Sequence, residues 1–156
     1  MADDLAVATW VGRVDESCVR NTPDVDILLA RSDLDAANAA LSAAGFVSRI
    51  INDTQFFVDG LGANQRNAVH IMFAGEKVRP GDLAVAPNVC ESEPGPSFRL
   101  LALQPLVKML LVSFRSKDRM HLRDMIEVGL VDDTWLPRLP AELSSRLKEL
   151  LDNPEG

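Results

Sequence analysis

A strand that carries two carboxylates and runs straight into a helix constrains this chain more than any other feature. In Arg20-Asn21-Thr22-Pro23-Asp24-Val25-Asp26-Ile27-Leu28-Leu29, a proline-broken loop enters an apolar run. Side chains two residues apart on a strand share a face. Asp24 and Asp26 can therefore converge on one cation, while Val25, Ile27 and Leu29 turn to the opposite face and a core. Two hard oxygen ligands on a rigid edge suit Mg²⁺, which takes a few carboxylates together with phosphate oxygens and water. The same residues also fit a plainer description, with Asp24 ending a turn and Asp26 solvated on the strand, because short motifs recur by chance.

Helix signals follow the strand, which spans about Val25 to Ala30. Ser32 is a good N-cap, Asp33 and Asp35 suit the positive end of the helix dipole, and Gly45 supplies the stop. Leu34, Ala37, Leu41 and Ala44 recur at helical spacing as a narrow apolar stripe. Three β-like runs come next, Phe46 to Ile51, Gln55 to Val58 and Ala68 to Phe73, punctuated by Asn52-Asp53 and Gly60-Leu61-Gly62. Strands this close in sequence are expected as antiparallel neighbours.

Gly75 to Pro96 holds four of the nine prolines and three of the nine glycines, which predicts a long irregular excursion. Loops of that length tend to be functional. A short strand, Phe98 to Leu103, leads to a helical C-terminal part. Pro105 suits a first helical turn, and Leu106, Met109, Leu110, Ser113 and Phe114 keep helical spacing. A second helix is expected over about Asp118 to Val128, stopped by Gly129. A third, introduced by Pro137 and Pro140, runs through Leu143, Leu147, Leu150 and Leu151. The order is a βα unit, an antiparallel sheet and a helical cluster, an α/β chain of the α+β kind. It forms one domain over residues 1–156, with a sheet part (1–103) and a helical part (104–156).

Charge and composition narrow the function classes. A net charge of -7 opposes general DNA binding, which needs a basic footprint, though metal ions can screen a nucleotide's phosphates. Cys18 and Cys90 stand far apart and form neither a metal pair nor a disulfide framework, which points to a reducing cytoplasm. Only His70 and His121 accompany them, which argues against zinc. The start, Met1-Ala2-Asp3-Asp4-Leu5, lacks a signal-peptide pattern, and no apolar stretch is long enough for a membrane span. A soluble, cytoplasmic protein with no membrane partner is expected.

Two motifs in order carry a family resemblance. The first is Arg20-x-Thr22-x-Asp24-x-Asp26, followed by the apolar strand and a helix ending in Ala44-Gly45-Phe46. The second is Leu103-x-x-Leu106-Val107 through Phe114-Arg115-x-Lys117-Asp118, with Asp124 beyond it. Together they resemble the nucleotidyltransferase superfamily of DNA polymerase beta, in its small prokaryotic branch, over roughly Leu5 to Asp132. The resemblance implies a mixed, mostly antiparallel sheet flanked by helices that holds two Mg²⁺ ions, with a nucleoside triphosphate bound across them. It implies transfer of a nucleoside monophosphate to a hydroxyl of a small molecule, a protein or an RNA end. Two metals stabilise the entering and leaving oxygens of such an in-line displacement.

On that resemblance Asp24 and Asp26 are the metal ligands and Arg20 and Thr22 are candidate nucleotide-binding residues, to which the loop cation Lys77 is added from its own setting. Arg20 fits phosphate compensation or a surface pair with Asp15 or Glu16 equally well. Lys77 lies with Arg79 beside Gly75, in a loop that suits a substrate-facing lid or a solvated turn. His70, in Val69-His70-Ile71, stands where the superfamily carries a third carboxylate. An imidazole there is a candidate general base or metal ligand, or a strand histidine with a hydrogen-bonded side chain.

Two further positions depart from the pattern. Asp3-Asp4 falls where active members carry a glycine pair on a helix before the first strand, and no helix precedes it. Leu110 occupies the place of a lysine in the closing helix. Lys117, Asp118 and Asp124 are expected to form a capping and ion-pair network, and Trp10 and Trp135 to pack in the core. These departures support the alternative, a degenerate member that serves as a nucleotide-binding or protein-interaction module of an antitoxin-like kind. An acidic surface and an incomplete N-terminal layer leave room for a homodimer that covers an exposed apolar face.

Overall fold

The computed structural model describes residues 3–20, 25–51, 54–60, 68–95 and 97–154. The apolar run after Pro23 forms strand β1 (Val25–Leu29). Before it stands helix α1 (Asp3–Gly12), and after it come helix α2 (Leu34–Ala43), strands β2 (Phe46–Ile51) and β3 (Thr54–Asp59), and strand β4 (Val69–Phe73). A small hairpin of β5 (Ser92–Pro94) and β6 (Arg99–Leu101) leads into helices α3 (Leu103–Ser113), α4 (Ser116–Glu127) and α5 (Ala141–Asp152).

The main sheet has the order β1-β4-β3-β2. β4 lies parallel to β1 and antiparallel to β3, which is antiparallel to β2. The sheet is therefore mixed and mostly antiparallel. Strict alternation sorts its residues to two faces. Val25, Ile27 and Leu29 join Val69, Ile71, Phe73 and Phe57 under Leu34, Ala37 and Leu41 of α2. Leu28 points the other way and enters the larger core built by α1, α3, α4 and α5. Asp26 and His70 share that second face, which turns toward the helices.

Helix α1 is not foreshadowed by helical periodicity, because Leu5 to Ala8 form an unbroken apolar run. Ala6, Val7 and Val11 recur on one side and are all but completely buried, with Trp10 packed beside them. Trp10 donates its indole N–H to the Leu101 carbonyl at 3.1 Å, and Trp135 also packs on this core. The expected cap at Ser32 is displaced. Arg31–Asp33 first makes a tight 3-10 turn, so Asp33 occupies the cap position of α2 without a side-chain cap bond. Gly45 ends that helix region at φ +94°, in the left-handed region that glycine enters without Cβ strain.

The turn between α3 and α4 uses side chains instead of glycine. Phe114 closes α3 at φ +49°, and its N–H reaches the Leu110 carbonyl at 2.9 Å. Arg146 of α5 donates to the carbonyls of Leu111 and Val112 at 2.6 and 2.8 Å, satisfying acceptors the helix end leaves open. Asp118 accepts the Arg115 backbone N–H at 2.8 Å and starts α4. Among the described residues no helix is long and apolar enough to cross a membrane.

Candidate functional site

The parallel register of β1 and β4 sets Asp26 directly beside His70. Neighbouring strands lie about 5 Å apart, so the carboxylate and the imidazole project side by side from the same face. The row continues across the sheet, from His70 to Phe56 and from Phe56 to Arg49. The Phe56 and His70 rings sit with centroids 5.9 Å apart.

Asp26 and His70 line one side of a cavity of about 510 Å³. Met109, Leu110 and Ser113 of α3 form another wall, and Arg115, Lys117 and Asp118 of the α3–α4 turn extend it. Arg31, Gln55 of β3 and the loop carrying Glu76, Lys77, Arg79 and Asp82 also line it. Among the described residues β3 pairs with β4 at Phe56 and Phe57. Beyond that point the edge of β4 at Ile71 to Phe73 borders the same cavity.

The described lining holds five cationic side chains (Arg31, Lys77, Arg79, Arg115, Lys117) against four acidic ones (Asp26, Glu76, Asp82, Asp118), in a chain of net charge -7. Two of the cations and two of the acids neutralise each other, and a third acid accepts from backbone. Arg31 grips Glu76 through Nε at 2.7 Å and Nη2 at 2.5 Å while its guanidinium lies 3.7 Å over the Phe73 ring. That hydrogen bond holds the Glu76 carboxyl below its ordinary value and raises Arg31. Asp82 accepts the Arg79 N–H at 2.8 Å. Asp118 takes a two-pronged bond from Arg115 at 2.8 and 3.0 Å. Burial pushes the Asp118 carboxyl up, but hydrogen bonds from Arg115 and Ser113 outweigh it and leave it below its ordinary value.

The structure therefore brings Asp26, His70 and Lys77 to one cavity. Asp24 and Thr22 lie outside the described residues. Arg20 is placed elsewhere, with its guanidinium on Asp124 of α4 at 2.7 and 3.0 Å. The pairing with Asp15 or Glu16 does not form, because Asp15 caps its own turn by accepting from Ser17. Asp3 and Asp4 open α1. Leu110, in the place of the expected lysine, presents an apolar surface to the cavity. Arg31 is a lining residue that the sequence motifs do not include, whereas Arg115 belongs to the second motif. The signal for Arg31 lies in its tertiary pairing with Glu76, which spacing alone does not display.

The donor set next to the cavity is one described carboxylate and one imidazole. Of these the carboxylate is a ligand type that suits Mg²⁺, whereas the imidazole suits softer ions. Among the described residues no group of three or more His, Cys, Asp or Glu side chains is arranged to hold a metal. Comparison with family models, with curated proteins and with solved structures finds no match for this chain.

Proposed function

We propose that this chain is a nucleotidyltransferase-like protein that binds a nucleoside triphosphate with Mg²⁺ in the cavity beside Asp26 and His70. It transfers the nucleoside monophosphate to a hydroxyl acceptor and releases pyrophosphate. The observation that carries the proposal is the Asp26–His70 register pair beside a cavity with a cationic excess. Asp26 supplies a hard oxygen donor to the metal, Asp24 of the Asp-x-Asp motif a second one, and Lys77 and Arg79 reach the phosphates. His70 accepts the proton of the acceptor hydroxyl. The mixed sheet and the two motifs support the same assignment.

A second function of a different class rests on His70 itself. An imidazole stands beside Asp26 where a further carboxylate would draw in a second divalent cation. A protein built this way binds the nucleotide and signals to a partner without turnover.

Calorimetric titration of ATP, GTP, CTP and UTP, with and without Mg²⁺, separates these outcomes. The proposal expects Mg²⁺-dependent binding of at least one nucleotide that disappears in Asp24→Asn and Asp26→Asn. Absence of binding by all four, with both variants folded, contradicts it. Binding without pyrophosphate release across acceptor classes selects the second function.

A further inference from the structure

β1 is the end strand of the main sheet, and no described strand pairs on its outer side. The N–H and C=O of one strand residue point the same way, and successive residues alternate. The Val25 N–H donates to the Ala68 carbonyl, and the Leu29 carbonyl accepts from the Ala74 N–H. The odd-numbered residues of β1 therefore face β4. The main-chain groups of Asp26 and Leu28 face outward, two residues apart.

Beside this edge lies a second cavity, of about 330 Å³, bordered by Val25, Ile27 and Leu28. Leu5 of α1 and Val89, Ser92, Phe98 and Arg99 of the hairpin region form the opposite side. Leu5, Val89 and Phe98 are 38%, 43% and 42% exposed, so three large apolar side chains ring one groove. Arg99 is held in place by bonds from Nε to the Ser92 Oγ at 2.8 Å and from Nη2 to the Ser92 carbonyl at 2.7 Å. A guanidinium has five N–H donors, so others remain for a carboxylate.

We infer that this groove is a strand-addition site for an extended, acidic-apolar peptide segment of a partner protein. The segment hydrogen-bonds to Asp26 and Leu28 through its backbone. It places apolar side chains against Leu5, Val89 and Phe98 and a glutamate or aspartate on Arg99. Main-chain hydrogen bonds give such docking its affinity, and alternate side-chain pockets give its specificity. A lipid chain satisfies the apolar wall but leaves the outward amides of β1 unpaired, which selects a peptide. Arg99, the one cation in the groove's described lining, selects an acidic side chain on the peptide. This site is independent of the nucleotide assignment, since none of its groove-facing side chains lines the Asp26–His70 cavity apart from the shared strand.

The test uses fluorescein-labelled ten-residue peptides in which valine alternates with threonine and one glutamate occupies each of four positions in turn. Matched controls carry N-methyl groups on alternate amides. The inference expects saturable binding by at least one peptide, lost on N-methylation and weakened about tenfold by Phe98→Ala and by Arg99→Glu. Amide exchange at Asp26 and Leu28 then slows about tenfold on peptide addition, while Val25, Ile27 and Leu29 stay as they were. Absence of binding by all four peptides, or binding that N-methylation leaves intact, overturns the inference. So does protection of Asp26 and Leu28 that rises with protein concentration alone, which assigns the edge to a second copy of this chain. Phe98 is exposed and outside the core, so its variant remains interpretable if Arg99→Glu loosens the hairpin.

Discussion

Arg20 and Asp124, 104 residues apart in the chain, form a two-pronged ion pair that ties the segment before β1 to helix α4. The Arg20 side chain is 53% exposed while that of Asp124 is only 7% exposed. The guanidinium therefore covers a carboxylate that water reaches poorly. Its own charge is reinforced by the hydrogen bond to Asp124, which raises Arg20 above its ordinary value.

Removing Arg20 leaves that carboxylate buried without its partner. Arg20→Ala is expected to cost about 2 kcal/mol, with Arg20→Lys recovering part of it because a point charge replaces the fork. Urea unfolding reads this as a lower midpoint at unchanged slope. A midpoint equal to that of the parent protein contradicts the structural role and returns Arg20 to the list of ligand-binding candidates.

The start of α4 carries a pH signature. Asp118 sits lower folded than unfolded, so its contribution is full above the unfolded carboxylate value of about 3.9 and is lost as pH falls through the folded value. Asp118→Asn is expected to be about 1–2 kcal/mol less stable near neutral pH, with the gap narrowing below about pH 4. Thermal unfolding across that range checks it. A gap that stays constant with pH removes the carboxylate from the account of this helix start.

Gly129 follows α4 at φ +75°, with open space where a Cβ would stand. Gly129→Ala therefore tests backbone conformation without a steric clash, and about 1 kcal/mol of destabilisation is expected. A neutral or stabilising alanine in chemical denaturation would show that the left-handed conformation is not required there.

Lys77 and Arg79 lie on the exposed loop that borders the Asp26–His70 cavity, so their replacement leaves the core intact. Lys77→Ala and Arg79→Ala are each expected to weaken triphosphate binding about three- to tenfold and to flatten its salt dependence, with little change in melting temperature. Equal affinity for parent and variants would place the phosphates elsewhere.

Much of the main sheet and the C-terminal helices is legible in the sequence because their apolar residues keep period. β1 alternates, α2 carries Leu34, Ala37 and Leu41 at helical spacing, and glycines 45 and 129 fall where the chain turns left-handed. Helix α1 escapes because its apolar residues Leu5 to Ala8 run together instead of recurring at helical spacing. The boundary at Ser32 shifts because a tight turn at Arg31–Asp33 comes first. The Asp26–His70 pairing needs a parallel crossover past α2, β2 and β3, and no local spacing encodes such a register. Arg31 is hidden for the same reason, since its partner Glu76 lies 45 residues away.

The central claim is that the Asp26–His70 edge holds a metal-bound nucleoside triphosphate. Titrating isotopically labelled protein with Mn²⁺ and ATP, and repeating with GTP, CTP and UTP, tests it most directly, because the paramagnetic ion broadens signals near its site. The account predicts selective loss of the Asp26 amide and the His70 ring signals with at least one nucleotide. Leu143 and Leu147 on α5 remain sharp, and Asp26→Asn abolishes the effect. Uniform broadening, broadening centred away from β1 and β4, or none with any of the four nucleotides would contradict it.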